Sequence, residues 1–276
     1  MYKDLLVEVD DRENSLKRIN YAIQLARHFD AHLTGLYLIS AFTPPPAVGA
    51  YMTQDMEAQI EAGEKELAEA ALDAFRQTVE ADDIEFDIRT DKGTHHEHAR
   101  LLSLHGRYAD LTIIGQPNPD DGIGSLDPGD VVLAAGAPVM VVPHIGAPST
   151  CAERVMIAWN ASRESARAVR DAMPLLEKAE KVDVVCFQPE NTPGHGELPG
   201  ADISLHLSRH GIKVDVQILA GQGIDVGNAL LSHIADRGSD LLVMGAYGHS
   251  RLREAVLGGA TRTILQSMTV PVLMAH

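Results

Sequence analysis

The chain has 276 residues, and its 23 Lys and Arg against 39 Asp and Glu give it a formal net charge of −16. A length above the roughly 100–200 residues of a typical domain predicts two domains. The negative charge opposes non-specific binding to nucleic acid and to anionic membranes, so neither is expected as a partner. No signal-peptide pattern opens the chain, no apolar run approaches a membrane span, and the two cysteines lack metal-ligand spacing, which together predict a cytoplasmic protein.

Short β-branched runs alternate with amphipathic helical patterns along the first half of the chain. The predicted order is strand DLLVEV, helix 13–28, strand HLTGLYLI, helix 55–80, strand EFDIRT, helix 95–107, strand DLTIIG, a loop with a short helix, and strand PVMVVP. Strands that alternate with helices are typical of a parallel sheet with right-handed crossovers.

The second half repeats this order. The predicted elements are strand RVMIAW, helix 162–178, strand KVDVVCF, a short helix near 202–209, strand KVDVQIL, helix 225–236, strand DLLVMG, a glycine-rich loop, helix 260–267 and strand PVLMA. Residues 5–25 align without gaps with residues 155–175, so the chain is interpreted as a tandem repeat. We expect two five-stranded α/β domains, 1–145 and 152–276, joined near the stretch IGAPSTCA.

The glycine-rich loop lies in MGAYGHSRLREAVLGGATRTIL, residues 244–265. It follows a predicted strand, and ligands of open parallel sheets bind beyond the carboxyl ends of strands. Glycines at 245 and 248 allow the backbone to approach a phosphate, and those at 258 and 259 precede the free N–H groups of a helix. His249, Ser250 and Thr261 would add side-chain donors. On spacing alone, a simple turn is the commoner explanation of such glycines.

The spacing G-x2-G-x9-G, at Gly245, Gly248 and Gly258, resembles that of the universal stress protein family of the UspA type, as does the opening IAWNASRESARAV. The resemblance covers essentially the whole chain as two copies. It implies a Rossmann-like α/β fold, similar to adenine nucleotide alpha-hydrolases, that in some members holds ATP between two strand ends and the glycine loop. With the candidate donors included, the site residues are Ala158, Trp159, Asn160, Phe187, Met244, Gly245, Gly248, His249, Gly258, Gly259, Ala260 and Thr261.

Two positions depart from the family pattern. Gly259 stands where the family has Ser or Thr, and the loss of one neutral hydrogen bond costs on the order of 1 kcal/mol, or about fivefold to tenfold in affinity. Asn160 stands where the family has an acidic residue. It could contact an adenine or ribose, or it could belong to the turn before helix 162–178, where Ser162 is the better N-cap.

The first copy lacks most of the glycine pattern. Gly115 matches Gly245, but Asn118, Pro128 and Asp130 stand where Gly248, Gly258 and Ala260 stand. Pro128 has no N–H, and the loop carries several carboxylates where a phosphate would lie, so the first copy should reject nucleotide. Since family members commonly dimerise through their last strands, the resemblance implies an intramolecular pseudo-dimer through Val139–Pro143 and Val272–Ala275, which would cover both edges. A homodimer is an additional alternative.

Two further patterns are expected to be structural. His95 and His98 share a helix face and could form part of a metal site, but a solvated first helical turn is the commoner explanation. Residues 55–83 predict a long surface helix, with a partner-binding lid as the minor alternative. No catalytic set is legible.

Three functions stay open at this point. The leading hypothesis is a stress-response or signalling module whose C-terminal domain binds ATP, or AMP or ADP, with Mg²⁺ as an optional companion and with protein partners unidentified. The second is a scaffold of the same fold that no longer binds nucleotide. The third is a slow ATPase or phosphotransferase, or an autophosphorylating protein, that uses His249 or Ser250.

Overall fold

The computed structural model divides the chain into two compact units, Tyr2–Gly136 and Ala137–His276, with Met1 assigned to the second. It describes residues 1–12, 14–44, 47, 51–118, 126–146, 150–188, 200–220, 225–246 and 259–276. Of the helices in these ranges, none is both long and apolar enough to cross a membrane.

The N-terminal unit is a parallel sheet with helical crossovers. Its elements are β1 (Asp4–Val9), α1 (Ser15–Phe29), β2 (His32–Ser40), α2 (Gln54–Glu80), β3 (Phe86–Gly93), α3 (His95–Gly106), β4 (Leu111–Gly115) and α4 (Pro128–Ala134). The strands lie in the order β3-β2-β1-β4, and the described pairs are all parallel. Strands β1 and β4 are almost wholly buried, as continuous apolar runs in a parallel sheet predict.

The C-terminal unit repeats this plan and contains all five strands of the second copy. Its elements are β5 (Val139–Val142), β6 (Arg154–Trp159), α5 (Arg163–Leu176), β7 (Lys181–Gln188), α6 (Ala201–Arg209), β8 (Val214–Ala220), α7 (Val226–Arg237), β9 (Leu241–Gly245), α8 (Gly259–Ser267) and β10 (Val272–Ala275). The order is β5-β10-β9-β6-β7-β8, with β6 to β10 mutually parallel. The predicted α/β architecture is confirmed.

The last strands of the two sequence copies pair with each other, as the resemblance implied. β5 runs antiparallel to β10, with Val141 opposite Val272 and Val139 opposite Met274. All of the residues in both strands are buried. The pairing therefore covers the backbone hydrogen-bonding groups that β10 would otherwise present at an edge.

One carboxylate sets the relative position of the central strands in each unit. Asp110 accepts hydrogen bonds from the backbone N–H of Lys3 at 2.6 Å and of Asp4 at 3.0 Å, where β1 begins. The corresponding Asp240 accepts from the N–H of Arg154 at 2.8 Å, where β6 begins. Because these bonds fix where neighbouring parallel strands start, they also align the strands' carboxyl ends, where a ligand would bind.

The long helix α2 is a surface helix only in its first half. Its buried residues begin at Ala68 and include Phe75 and Val79, whereas Met56 and Leu67 are exposed. Thr53 caps the helix through its side chain, which accepts from the N–H of Met56 at 3.3 Å. The second half thus packs on the sheet and the first half lies at the surface.

The expectation of a solvated first turn in α3 was wrong for His98. This side chain is buried, its Nε2 lies 3.0 Å from the carbonyl oxygen of Gly93, and its ring centroid lies 5.3 Å from that of His95. Burial lowers the pKa of His98. Within the described ranges, no group of three or more His, Cys, Asp or Glu side chains could hold a metal ion.

Candidate functional site

The predicted nucleotide residues on β6 and β9 lie at one edge of the C-terminal sheet. Ala158, near the end of β6, lies beside Met244 of β9 on one side and beside Val185 of β7 on the other. Trp159 follows Ala158, and both are half-buried, although Val155, Met156 and Ile157 before them are buried. The carboxyl ends of three adjacent parallel strands therefore lie side by side at this edge.

The rest of the predicted set is divided between described and undescribed residues. Gly259, Ala260 and Thr261 form the first turn of α8. Gly259 is exposed and Thr261 is buried, so the Gly259 N–H is the better candidate donor to a phosphate. Phe187 lies on β7. The remaining predicted residues, Gly248, His249 and Gly258, lie outside the described residues, as does the suggested donor Ser250.

Gly245 is required by packing. A Cβ at this position would lie 2.5 Å from the carbonyl carbon of Glu164 and would also collide with the backbone nitrogen of Ser165. Both atoms belong to the first turn of α5 and cannot move aside as a flexible side chain could. The close approach of β9 to α5 therefore explains this glycine without a ligand.

Asn160 takes part in the turn between β6 and α5. Its Oδ1 accepts a hydrogen bond from the N–H of Ser162 at 3.1 Å, and the Ser162 hydroxyl then caps α5 by accepting from the N–H of Ser165 at 3.1 Å. Ala161 between them has a φ of 55°, in the left-handed region. Asn160 is exposed, and the turn uses only part of the hydrogen-bonding capacity of its amide. Both suggested roles of Asn160 are compatible with this geometry.

The start of the glycine loop is held by the end of β10. The N–H of Ala246 donates to the carbonyl oxygen of Ala275 at 2.9 Å, and Nδ1 of His276 lies 3.0 Å from the carbonyl oxygen of Ala246. The chain consequently leaves β9 from a fixed position between the ends of β6 and β10.

The equivalent edge of the N-terminal unit holds a buried ion cluster that the sequence reasoning missed. The Arg18 guanidinium, on a residue only 4% exposed, lies 3.3 Å from Oε2 of Glu8 and 3.1 Å from Oδ2 of Asp10. Its Nε donates to the backbone carbonyl oxygen of Glu8 at 2.7 Å. The N–H of Gly115, at the end of β4, donates to Oε2 of Glu8 at 3.3 Å. A single arginine thus ties together β1, α1 and β4.

The two carboxyl groups of this cluster respond differently to their surroundings. Burial raises the pKa of Glu8, and the attraction of Arg18 only partly offsets it. Burial also acts on Asp10, but Arg18, Arg12 and hydrogen bonds outweigh it and hold the pKa of Asp10 below its usual value. Asp10 is therefore ionised opposite Arg18 at neutral pH.

The repeat aligns this cluster with small residues in the second copy. At the offset of 150, Glu8 corresponds to Ala158 and Arg18 corresponds to Ala168. Where one copy has a carboxylate and a guanidinium, the other has two methyl groups. A signal for this was present in the sequence: two charged residues interrupt apolar positions of β1 and α1 in one copy only, and their charges are opposite.

The Universal stress protein family sequence profile matches the chain twice, over residues 1–115 and 152–276. The chain belongs to the universal stress protein family. A curated relative, the universal stress protein Slr1230 of Synechocystis, is 39% identical over 67 residues, which are 24% of this chain and 22% of that protein. The matched segment thus spans about a fifth of that relative's length.

Solved universal stress proteins support the fold over the whole chain. One from Archaeoglobus fulgidus matches with a TM-score of 0.75 at 18% identity, covering 99% of this chain and 96% of its own. A putative universal stress protein from Pseudomonas aeruginosa matches with a TM-score of 0.59 at 16% identity, covering 99% of this chain and 93% of its own. At these identities the likeness shows the fold, and the two profile matches show the tandem copies of this universal stress protein.

Proposed function

We propose that the C-terminal copy, residues 152–276, binds ATP or a related adenine nucleotide, and that the protein acts in the cytoplasm as a nucleotide-dependent stress or signalling module. The nucleotide would lie between the ends of β6, β7 and β9 and the first turn of α8. Ala158 and Trp159 would border the base and ribose, and the N–H groups of Gly259 and Ala260 would face the phosphates.

The observation that carries this proposal is the contrast at the aligned edge positions. In the N-terminal unit the edge is occupied by the buried pair of Glu8 and Arg18, and in the C-terminal unit the same positions are Ala158 and Ala168. Alanines at the end of a central strand place no charge beside a bound phosphate, whereas the carboxyl groups of Glu8 and Asp10 would repel one.

Glycines in the loop add support, although less than their number suggests. Gly245 has a packing role, so it does not discriminate between a turn and a phosphate site. Gly248 and Gly258 are replaced by Asn118 and Pro128 in the first copy, which still continues from β4 into α4. The support from glycine spacing therefore rests on these two positions.

A scaffold without nucleotide is the second candidate. It is favoured by the structural roles that Gly245 and Asn160 already have, and by Gly259 in place of a hydroxyl residue. The two candidates differ in whether the C-terminal copy has a ligand at all.

Purified protein separates the two candidates. With one Trp and six Tyr, the chain absorbs weakly at 280 nm, so co-purified adenine nucleotide would raise the 260/280 absorbance ratio, and mass spectrometry would identify it. Added ATP should raise the melting temperature, and Gly248→Asp should abolish that rise, because it places a carboxylate near the phosphates. Absence of bound nucleotide together with no ATP-dependent stabilisation would favour the scaffold.

A further inference from the structure

A cavity of about 150 Å³ opens in the N-terminal unit at the carboxyl ends of β1 and β2. Its wall includes Asp11 after β1, Tyr37 on β2, Glu64 and Leu67 on α2, and His98 on α3. A cavity of this size can hold an organic molecule of about six heavy atoms. The cavity lies outside the C-terminal nucleotide positions, so a ligand here would be a second one.

The polar group that points to a ligand is the Tyr37 hydroxyl. Tyr37 is only 5% exposed and lines the cavity, yet the described residues form no hydrogen bond with its hydroxyl. Within the described ranges the hydroxyl is not one of the fully buried polar atoms that lack a partner, so it opens into the cavity. A molecule in the cavity could supply a hydrogen-bond partner.

The charges around the cavity indicate the sign of the ligand. Arg18 and Arg12 lie within 4 Å of the Asp10 carboxylate and so partly balance the floor of the cavity. Across the described part of the chain, Asp11 and Glu64 have no basic partner within that distance. Two carboxylates in the wall are thus left without a counter-charge.

The resulting negative potential acts on the Tyr37 hydroxyl. Burial and the nearby carboxylates of Asp11, Glu64 and Asp10 raise its pKa to about 12. His98 adds no opposing charge at neutral pH, because burial lowers its pKa. An anionic phosphate would be repelled from this cavity, and a cation would be attracted to it.

We propose that the N-terminal cavity binds a small organic ammonium ion, held by the carboxylates of Asp11 and Glu64 and by the Tyr37 hydroxyl oxygen. The ammonium N–H groups donate to these three groups, and the short alkyl part contacts apolar wall residues such as Leu67. This ligand would give the N-terminal copy a specificity of its own, independent of nucleotide in the C-terminal copy.

The test uses the full chain and 1,4-diaminobutane as the probe, followed by isothermal titration calorimetry. The neutral 1,4-butanediol has the same number of heavy atoms and should bind at least about tenfold more weakly, because it lacks the charge. Tyr37→Phe and Glu64→Gln should each weaken diamine binding about fivefold to tenfold, since each removes one acceptor. Glu66→Gln, on the same helix but outside the cavity wall, is the matched control and should bind as the unchanged protein does.

Three results would overturn the proposal. They are no saturable diamine binding up to about 10 mM, equal binding of the diol, and equal weakening by Glu66→Gln and Glu64→Gln, which would indicate only general attraction to an acidic protein. Melting curves of each variant exclude loss of fold as the cause. Repeating the titration with saturating ATP separates the two proposals, because diamine binding should not change if the sites are independent.

Discussion

The carboxyl edges of the two sheets have the same backbone plan and opposite chemistry. In both copies an Asx turn follows the first strand, since Asp10 accepts from the N–H of Arg12 at 3.1 Å just as Asn160 accepts from that of Ser162 at 3.1 Å. Next to that turn one edge carries the buried ion pair of Glu8 and Arg18, and the other has alanines at those positions. The comparison teaches that a duplicated fold can keep its turns and change its ligand site through two or three side chains.

Removal of the Arg18 side chain should cause the largest loss of stability among the changes at these two edges. Arg18→Ala leaves the carboxyl groups of Glu8 and Asp10 without their buried counter-charge, and loss of one partner of such a cluster costs about 3–5 kcal/mol. Chemical denaturation would measure the loss. The double change Glu8→Ala and Arg18→Ala reproduces the pair found in the second copy and should recover at least half of it. No recovery in the double variant would show that the guanidinium acts mainly through packing.

A methyl group added at Gly245 should cause the second-largest loss of stability. Gly245→Ala forces a Cβ against the backbone at the start of α5, and overpacking of this kind costs about 1–3 kcal/mol, here at the upper end. Gly115→Ala is the matched change in the first copy. There the added Cβ meets Nη1 of Arg18, which is the end of a flexible side chain and can shift further than the backbone of α5 can. Thermal unfolding should therefore place Gly115→Ala at the lower end of the range. Equal losses would mean that the two strand ends are packed alike.

The pH dependence of stability should distinguish Asp10 from Asn160. The pKa of Asp10 is lowered in the folded state, so its contribution is present above the unfolded-state pKa and is lost as pH falls through the folded-state pKa. Asp10→Asn should cost about 1–2 kcal/mol at pH 7, with a difference from the unchanged protein that shrinks below pH of about 4. Denaturant titrations across this range give the measurement.

Asn160→Asp is the reciprocal control. Asn160 is exposed, and in its copy the position of Arg18 is occupied by Ala168. A carboxylate at position 160 therefore gains no buried guanidinium partner. Its effect on stability should stay within about 0.5 kcal/mol at pH 7. A gain of stability as large as the loss in Asp10→Asn would contradict the account of the two edges.

The smallest expected effect is on affinity for nucleotide. Gly259→Ser restores a hydroxyl donor at the exposed start of α8 and should tighten ATP binding about fivefold, since one added hydrogen bond is worth on the order of 1 kcal/mol. Calorimetric titration of both proteins measures the ratio. Unchanged affinity would place the phosphates away from this helix end.

Sequence patterns predicted the fold in detail because local signals and tertiary structure agree. Helix 162–178 is observed as Arg163–Leu176 with the predicted Ser162 cap, and RVMIAW is β6 to the residue. The contacts of Gly245 and Arg18 were not predictable in this way. A side chain at position 245 would collide with the backbone of α5, which the sequence does not show. Arg18 contacts Glu8 through a buried side chain, and an arginine in a sequence is ordinarily expected at the surface.

Histidine burial was missed for a related physical reason. Thr94 and the Glu97 carboxylate, which accepts from the Thr94 N–H at 2.9 Å, form a helix start that is typical of solvent exposure. His98 nonetheless lies in the first turn of α3, on the helix face that packs on the sheet. Its burial therefore depends on how α3 is placed and not on local sequence. The candidate site stays a prediction from the family resemblance, and the pairing of Glu8 with Arg18 at the equivalent edge of the first copy was recognised only in the structure.

The number of nucleotide sites per chain tests the central claim most directly. Calorimetric titration of ATP into the full chain should give one site, and Ala158→Glu should weaken binding at least about tenfold by placing at β6 the carboxylate that β1 carries. Ala166→Glu, an exposed position on α5, makes the same change in charge and should leave the affinity unaltered. Two sites per chain, or one site that survives Ala158→Glu unchanged, would contradict the account.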